Sequence, residues 1–296
     1  MKTHTTLMRS AYTALSTLLL LSACSSSGSG DDASNTESAN LPGLAISGLG
    51  NRDAADIANP WLATIRAFRV DSRTPGTGDF KVSTIEYSDS YTVQDSIDWY
   101  GSQVELDTCE ITEPEDTTIG IGDSGGSNSV PYVSAGESVV INAPNGTWFT
   151  LNEGDTGIYE VDNELPEAIP AGATVSIPGS VFPSVGAIPI NEPAAPVRIA
   201  PDFGPVSIVS QYQWQAAGGD GVFMSLSFLE YDSTGDFVDF AISCNLEDDG
   251  EFTPPDDVLT AIANTTNTLE VRYNRRVRTL ALVEGVVAYS RISVAE

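Results

Sequence analysis

The sequence predicts an all-β fold with two antiparallel β-rich domains, at residues 44–190 and 191–296. Short runs rich in Val, Ile, Thr and aromatic residues recur along the chain and end at Gly, Asn or Asp clusters, which is typical of strands joined by tight turns. Hydrophobic residues make up 41% of the chain, including 10 Tyr, 10 Phe and 4 Trp, which is enough for a packed core. Five prolines within residues 188–205 cannot lie in a central sheet, so they place the domain boundary near residue 191.

The first domain contains the clearest local turn signal. The alternation in residues 61–70 places four apolar side chains on one face of a predicted strand, and further strands are predicted over residues 80–87 and 99–111. Around Pro144-Asn145-Gly146, two runs of β-branched and aromatic residues predict a hairpin, because Asn-Gly tolerates the positive φ of a tight turn.

The second domain has regularly spaced strand patterns. A turn at Glu284-Gly285 joins the last two strands, and Thr253 is expected to cap one short helix that ends at Asn264. The predicted strands span residues 206–214, 222–231, 237–245, 269–282 and 286–294.

Residues 195–296 resemble an immunoglobulin-like or fibronectin type III-like module. The resemblance lies in the proline-rich start, in Trp214 within a predicted strand, and in the strand of Cys244, which ends at an Asp-Gly turn. It implies that the C-terminal domain is an antiparallel β-sandwich. The N-terminal domain resembles no family.

The first residues have the layout of a secretory signal. Lys2 and Arg9 precede an apolar run at residues 11–21, which is too short to span a bilayer. The tetrad Leu21-Ser22-Ala23-Cys24 resembles the lipobox of bacterial lipoproteins. The resemblance implies that residues 1–23 are a cleaved signal peptide and that Cys24 carries fatty acids. Ordinary secretory cleavage beside an incidental cysteine is the alternative.

The residues after the cysteine indicate a tether and a location. Residues 24–43 are rich in Ser, Gly, Asp and Asn, as a flexible linker is. In lipoproteins an aspartate after the acylated cysteine marks retention in the inner membrane, and Ser25 stands in that place. The resemblance therefore implies a lipid anchor in the outer membrane, with either the periplasmic or the outer face possible.

Charge and histidine content exclude several function classes. The chain has 41 acidic and 13 basic residues and a formal net charge of −28, which disfavours nucleic acid as a partner. The only histidine, His4, lies in the leader, so the mature chain has no imidazole for a serine hydrolase or a transition-metal site. No cofactor is expected, and any metal would be held by oxygen, as calcium is.

Two cysteines remain in the mature chain. Cys109 and Cys244 are an even pair in a chain directed to an oxidising compartment, so the sequence predicts a disulfide. Two buried thiols that do not meet are the alternative.

One acidic segment has the spacing of a calcium loop. Asn245, Glu247, Asp249 and Asp256 fall at positions 1, 3, 5 and 12 of an EF-hand-like loop, with Gly250 at the turn position. A hairpin turn with solvated acids is the alternative.

The last predicted hairpin is rich in arginine. Arg272, Arg276 and Arg278 are expected on one strand face and Arg275 on the other. Their guanidinium groups suit an anionic glycan or lipid headgroup. Neutralisation of the chain's own acidic loops is the alternative.

Two further patterns have both a functional and a structural interpretation. Residues 122–126, Gly-Asp-Ser-Gly-Gly, look like the nucleophile segment of chymotrypsin-like proteases, but a loop is predicted because that chemistry needs a histidine. Trp61, Trp99, Trp148 and Trp214 could stack on sugar rings, although each lies in a run typical of buried strands.

Together these features predict a lipid-anchored envelope protein with a non-catalytic binding or structural role. Its expected partners are the membrane, through the lipid, and a glycan or another envelope protein. A glycan-binding or adhesive surface module is the first alternative. A carboxylate-dependent glycoside hydrolase is the second, because that chemistry needs neither His nor Lys.

Overall fold

The structure is a computed structural model that describes residues 41, 43–71, 78–88, 90–102, 104–112, 131–161, 165, 168–200, 211–231, 233–235, 237–265 and 268–296. The predictions for the signal peptide, Cys24, the linker up to residue 40 and the segment 122–126 lie outside these residues.

The described residues are mainly β. One turn of 3₁₀ helix spans Ala54–Asp56, and two α-helices, α1 and α2, span Val93–Gly101 and Asp256–Asn264. Neither is long and apolar enough to cross a membrane. The strands of the described residues, β1 to β16 in chain order, are Ala45–Ser47, Trp61–Val70, Gly78–Glu86, Thr108–Thr112, Ser138–Ala143, Gly146–Asn152, Ile158–Val161, Thr174–Ile177, Val185–Pro189, Arg198–Ala200, Tyr212–Trp214, Val222–Tyr231, Phe237–Leu246, Glu251–Phe252, Thr268–Val283 and Val286–Ala295.

A nine-stranded sheet organises the fold. Its order is β4-β13-β12-β15-β16-β2-β3-β7, and β1 pairs with the end of β15. Most neighbours are antiparallel, but β16 runs parallel to β2 and β1 runs parallel to β15. The sheet is therefore mixed rather than purely antiparallel, because strands from distant parts of the chain lie side by side in its centre.

This sheet takes strands from both sides of residue 191. β2, β3, β4 and β7 come from the predicted N-terminal domain, and β12, β13, β15 and β16 from the predicted C-terminal domain. The two predicted domains share one sheet because the last strand, β16, pairs with β2. The described residues from 41 onward form one compact unit.

Two smaller sheets pack on one face of the large sheet. The four-stranded sheet β6-β5-β8-β9 covers a core that includes Ala63 and Ile65 of β2. The three-stranded sheet β10-β11-β14 and α2 cover a second core around Trp214 and Tyr273. This second packing differs from an immunoglobulin-like domain, whose sheets close within one module, because the large sheet continues into β2, β3 and β7.

The opposite face of the large sheet carries the third core. Tyr100 and Ile97 of α1 pack there against Leu62 of β2 and Tyr289 of β16. α1 begins at a capping box, in which Thr92 accepts from the Asp95 backbone and the Asp95 carboxylate accepts from the Thr92 backbone.

The predicted disulfide is confirmed. Cys109 on β4 lies directly opposite Cys244 on β13, and their sulfurs are bonded. The bond joins residues 135 positions apart and ties the end strand β4 to the sheet.

We expect the double substitution Cys109→Ser and Cys244→Ser to lower the free energy of unfolding by about 5 kcal/mol, since a loop of this length releases much entropy when it is opened. Urea denaturation of the protein in detergent measures the change, and reduction of the wild-type protein is the matched control. Equal midpoints for variant and wild type would contradict the prediction.

Candidate anion-binding site

Four arginines lie together on the face of the large sheet that carries α1. Arg66 on β2 is the register partner of Arg291 on β16, which in turn is the register partner of Arg278 on β15. Arg276 is two residues from Arg278 and so lies on the same face. We call Arg66, Arg276, Arg278 and Arg291 the arginine cluster.

The local sequence explains why these side chains share a face. β15 keeps an unbroken register with both β12 and β16, so its even-numbered residues all lie on one side. Its residues on the other side, such as Tyr273 and Val277, enter the two cores beneath the small sheets. Burial of these apolar side chains therefore fixes the arginines on the opposite face.

Arg278 is the buried base of the cluster, with 1% of its surface exposed. Its Nε donates to the hydroxyl of Tyr289 at 3.2 Å, and its Nη2 donates to the carbonyl oxygen of Tyr100. The rings of these two tyrosines stack with centroids 3.7 Å apart. Nη1 is buried and has no hydrogen-bond partner in the part of the chain that the structure describes. A buried donor without a partner is costly, so this position favours an acceptor.

Arg276 and Arg291 complete the cluster from positions that remain partly exposed. Burial, together with the positive charge of Arg291, lowers the pKa of Arg276 from its ordinary value to about 10. Burial and the charges of Arg66 and Arg278 also lower the pKa of Arg291. In both cases the surroundings disfavour the charged form.

The lowered pKa of Arg276 means that its charge lowers the stability of the folded protein. The unfolded state binds this proton more tightly than the folded state, so the charge opposes folding below pH 10. The penalty disappears as the pH rises above about 10 toward the ordinary pKa of arginine. At neutral pH the charge of Arg276 therefore lowers the free energy of unfolding, and a bound anion would offset this loss.

Three members of the cluster differ from the cations that ion pairs hold. Within the described ranges, no carboxylate lies within ion-pair distance of Arg276, Arg278 or Arg291. Ion pairs hold other cations instead, namely Arg69 with Glu192 and Asp71, Lys81 with Glu160, Arg198 with Glu296, Arg272 with Glu270, and Arg275 with Asp248.

The predicted set of arginines is thus brought together only in part. Arg276 and Arg278 are neighbours, as expected, and Arg275 lies on the opposite face, as expected. Arg272 shares the strand face but is exposed, and its guanidinium group binds Glu270 and the hydroxyl of Tyr231. The other members of the cluster, Arg66 and Arg291, come from other strands. The spacing of residues along one strand does not show which residues of other strands lie beside it.

Arg275 serves the core rather than a ligand. Its Nη2 donates to Asp248 Oδ1 at 3.2 Å, and its Nε lies 2.9 Å from Oδ2, close enough for an ion pair although not aligned for a hydrogen bond. The Asp248 carboxylate also accepts from Trp214 Nε1 at 2.8 Å. The turn after β13 is therefore anchored in the core by a buried charge pair.

The four predicted calcium ligands do not form one site. Cys244 and Leu246 enter the second core, so Asn245 between them lies on the other face of the sheet. Asp256 begins α2, which packs against that core on the opposite side. No group of three or more metal-ligating side chains occurs among the residues that the structure describes. The strands on either side of the turn prevent an EF-hand-like arrangement.

Glu247 and Asp249 instead line a cleft of about 510 Å³. Asp220 also lines this cleft, and Leu41, Leu106 and Val222 give it apolar walls. All three carboxylate side chains are exposed, so the cleft is acidic and unsuited to an anion.

The four tryptophans belong to three different parts of the fold. Trp214 is buried at 1% exposure, whereas Trp99 on α1 is 56% exposed. Trp61 and Trp148 are partly buried against the first core. Stacking on several sugar rings at once is therefore not supported by their placement.

No protein family, curated protein or solved structure matches this chain. The function must therefore be argued from the chain itself.

The ion pair of Asp248 yields a stability prediction. We expect Asp248→Asn to cost about 3–5 kcal/mol of unfolding free energy, because Arg275 would remain buried without its counter-charge. Asp249→Asn is the matched control, since this exposed neighbour makes one turn hydrogen bond, and it should cost less than about 0.5 kcal/mol. Denaturant titration measures both, and equal losses would contradict the assigned role of Asp248.

Proposed function

We propose that this protein is a lipid-anchored, non-catalytic binding protein of the bacterial outer membrane. The anchor is argued from the tetrad that ends at Cys24, and the location from Ser25. The disulfide between Cys109 and Cys244 supports an oxidising compartment, where such bonds persist.

The binding role is argued from the arginine cluster, and this one observation carries the proposal. Three guanidinium groups without a described carboxylate partner lie close together in a chain of net charge −28. Acidic side chains are abundant in such a chain. If these arginines neutralised the chain's own acidic loops, they would form ion pairs like those of Arg272 and Arg275. The cluster therefore suits an anionic ligand brought from outside.

The non-catalytic part of the proposal rests on the residue inventory. Removal of the leader leaves no histidine, and the one remaining lysine, Lys81, pairs with Glu160. A glycoside hydrolase would need two carboxylates facing one another across a sugar, and the sequence nominates no such pair. An anionic glycan bound without turnover is compatible with the same arginines.

The anchor can be tested by fractionation of cells that make the full chain. We expect the wild-type protein to incorporate a fatty-acid label and to sediment with outer membranes, and Cys24→Ser to lose both properties. Ser25→Asp should move the protein to inner membranes, whereas Ser29→Asp, with the same charge farther along the linker, should not. Membrane sedimentation of Cys24→Ser equal to that of the wild type would overturn the anchor.

The binding role can be tested on an immobilised polyanion. We expect retention on heparin despite the net charge of −28, because the contact is local to the cluster. Arg276→Met combined with Arg291→Met should elute at lower salt than the wild type, and Arg272→Met should elute with the wild type. A wild-type protein that flows through unretained would refute the proposed role.

A further inference from the structure

We propose that the arginine cluster binds a phosphate monoester, which Arg276, Arg278 and Arg291 hold on β15 and β16. The inference rests on the proposed anion-binding function and names the chemical class of its ligand.

The strand register gives the three guanidinium groups a triangular arrangement. Arg278 and Arg291 are direct cross-strand partners, which places their Cβ atoms about 5 Å apart. Arg276 lies two residues along β15, about 7 Å from Arg278. Arg278 is held in place by the hydrogen bonds from its Nε and Nη2. The long side chains of Arg276 and Arg291 can turn their planar forks toward its Nη1, so that three donors surround one tetrahedral oxyanion.

The charge of the cluster favours a phosphate monoester over a carboxylate as its ligand. The three arginines bring three positive charges with no described carboxylate among them. A carboxylate supplies one negative charge and two oxygens, whereas a phosphate monoester supplies about −1.5 to −2 at pH 7 and three acceptor oxygens. Only the phosphate monoester compensates most of the cluster and gives each fork an acceptor.

The surroundings fit a phosphate attached to an organic group. The buried Nη1 of Arg278 provides a donor at the base, and Arg276 and Arg291 remain partly open to solvent. Ser293, the register partner of Arg276, lies on the same face and carries a hydroxyl. On the neighbouring strand β2, Phe68 is opposite Ser293 and is 39% exposed, so it offers an apolar contact for carbon atoms of the ligand.

The overall charge favours a soluble or glycan-borne ester over a lipid headgroup. A net charge of −28 is repelled by an anionic bilayer, whereas a single phosphate group meets mainly the local field of the cluster. Free and membrane-borne phosphate monoesters can therefore be distinguished by experiment.

The test uses the mature lipidated protein in detergent, with thermal unfolding and calorimetric titration at constant ionic strength. The probes are glucose 1-phosphate, inorganic phosphate, sulfate, acetate and phosphatidic acid dissolved in the detergent micelles. We expect the phosphate monoester to raise the unfolding temperature and to bind at least tenfold more tightly than acetate. Phosphatidic acid in the micelles should leave the unfolding temperature unchanged.

Substitutions assign the binding to the cluster. Arg276→Met and Arg291→Met should each weaken phosphate binding at least tenfold, and Arg276→Lys should fall between, since it keeps the charge but loses the fork. Arg272→Met is the control on the same strand face and should stay within twofold of the wild type. Without ligand, Arg276→Met should unfold at the same or a higher temperature than the wild type, because it removes a charge that opposes folding.

Each contrary outcome has a definite meaning. Binding of acetate as tight as that of the phosphate ester would overturn the phosphate inference and leave the proposed anion-binding function standing. No response to any anion beyond that to chloride, together with no heparin retention, would overturn both. An equal loss of phosphate affinity in Arg272→Met and Arg276→Met would show that the arginine cluster is not the binding site. A shift of the unfolding temperature with phosphatidic acid in the micelles but not with glucose 1-phosphate would overturn the soluble-ester source.

Discussion

The parallel pairing of β16 with β2 is the constraint on which the architecture depends. Residues 287–295 of the C-terminal strand pair with residues 62–70 near the start of the fold. This ladder joins the two halves of the chain into one sheet. The first core packs on one side of the ladder and the third core on the other. The ladder also brings Arg291 between Arg66 and Arg278. The arginine cluster and the fold therefore both depend on the pairing of β16 with β2. Pairing between such distant segments forms slowly, because a long loop must close first.

Two adjacent arginines of β15 have opposite surroundings. The buried Arg275 is matched by the carboxylate of Asp248 and stabilises a turn, whereas the partly exposed Arg276 meets the charge of Arg291 and no described carboxylate. Like charges this close together lower the stability of the fold, and natural proteins keep such costs mainly at functional sites. The contrast therefore supports the proposed binding role of the arginine cluster.

Local patterns in the sequence predicted much of the fold. β2 and β12 have the predicted bounds, and turns at Pro144-Asn145 and Glu284-Gly285 join the predicted hairpins. Gly146, expected within the first turn, instead begins β6 with a positive φ. The strand predicted over residues 99–111 was wrong at its start, where α1 ends at Gly101. The spacing of Thr92 and Asp95 in the capping box was the signal that could have revealed this helix. At α2, Pro255 rather than Thr253 stands at the N-cap.

The site was harder to predict than the strands because it depends on pairing between distant segments. Alternation along β15 was enough to place Arg276 and Arg278 on one face and Arg275 on the other. Nothing local indicates that Arg291 would lie beside Arg278 or Arg66 beside Arg291, since parallel partners are not joined by a turn.

The position of the disulfide has a consequence for the exposed edge of the large sheet. It holds β4, a strand of five residues at the end of the sheet, against β13. Without β4, the longer β13 would expose its unpaired backbone groups to neighbouring molecules, and exposed edges of this kind invite aggregation. The covalent bond thus leaves a short strand at this end of the sheet and disfavours edge-to-edge pairing between molecules.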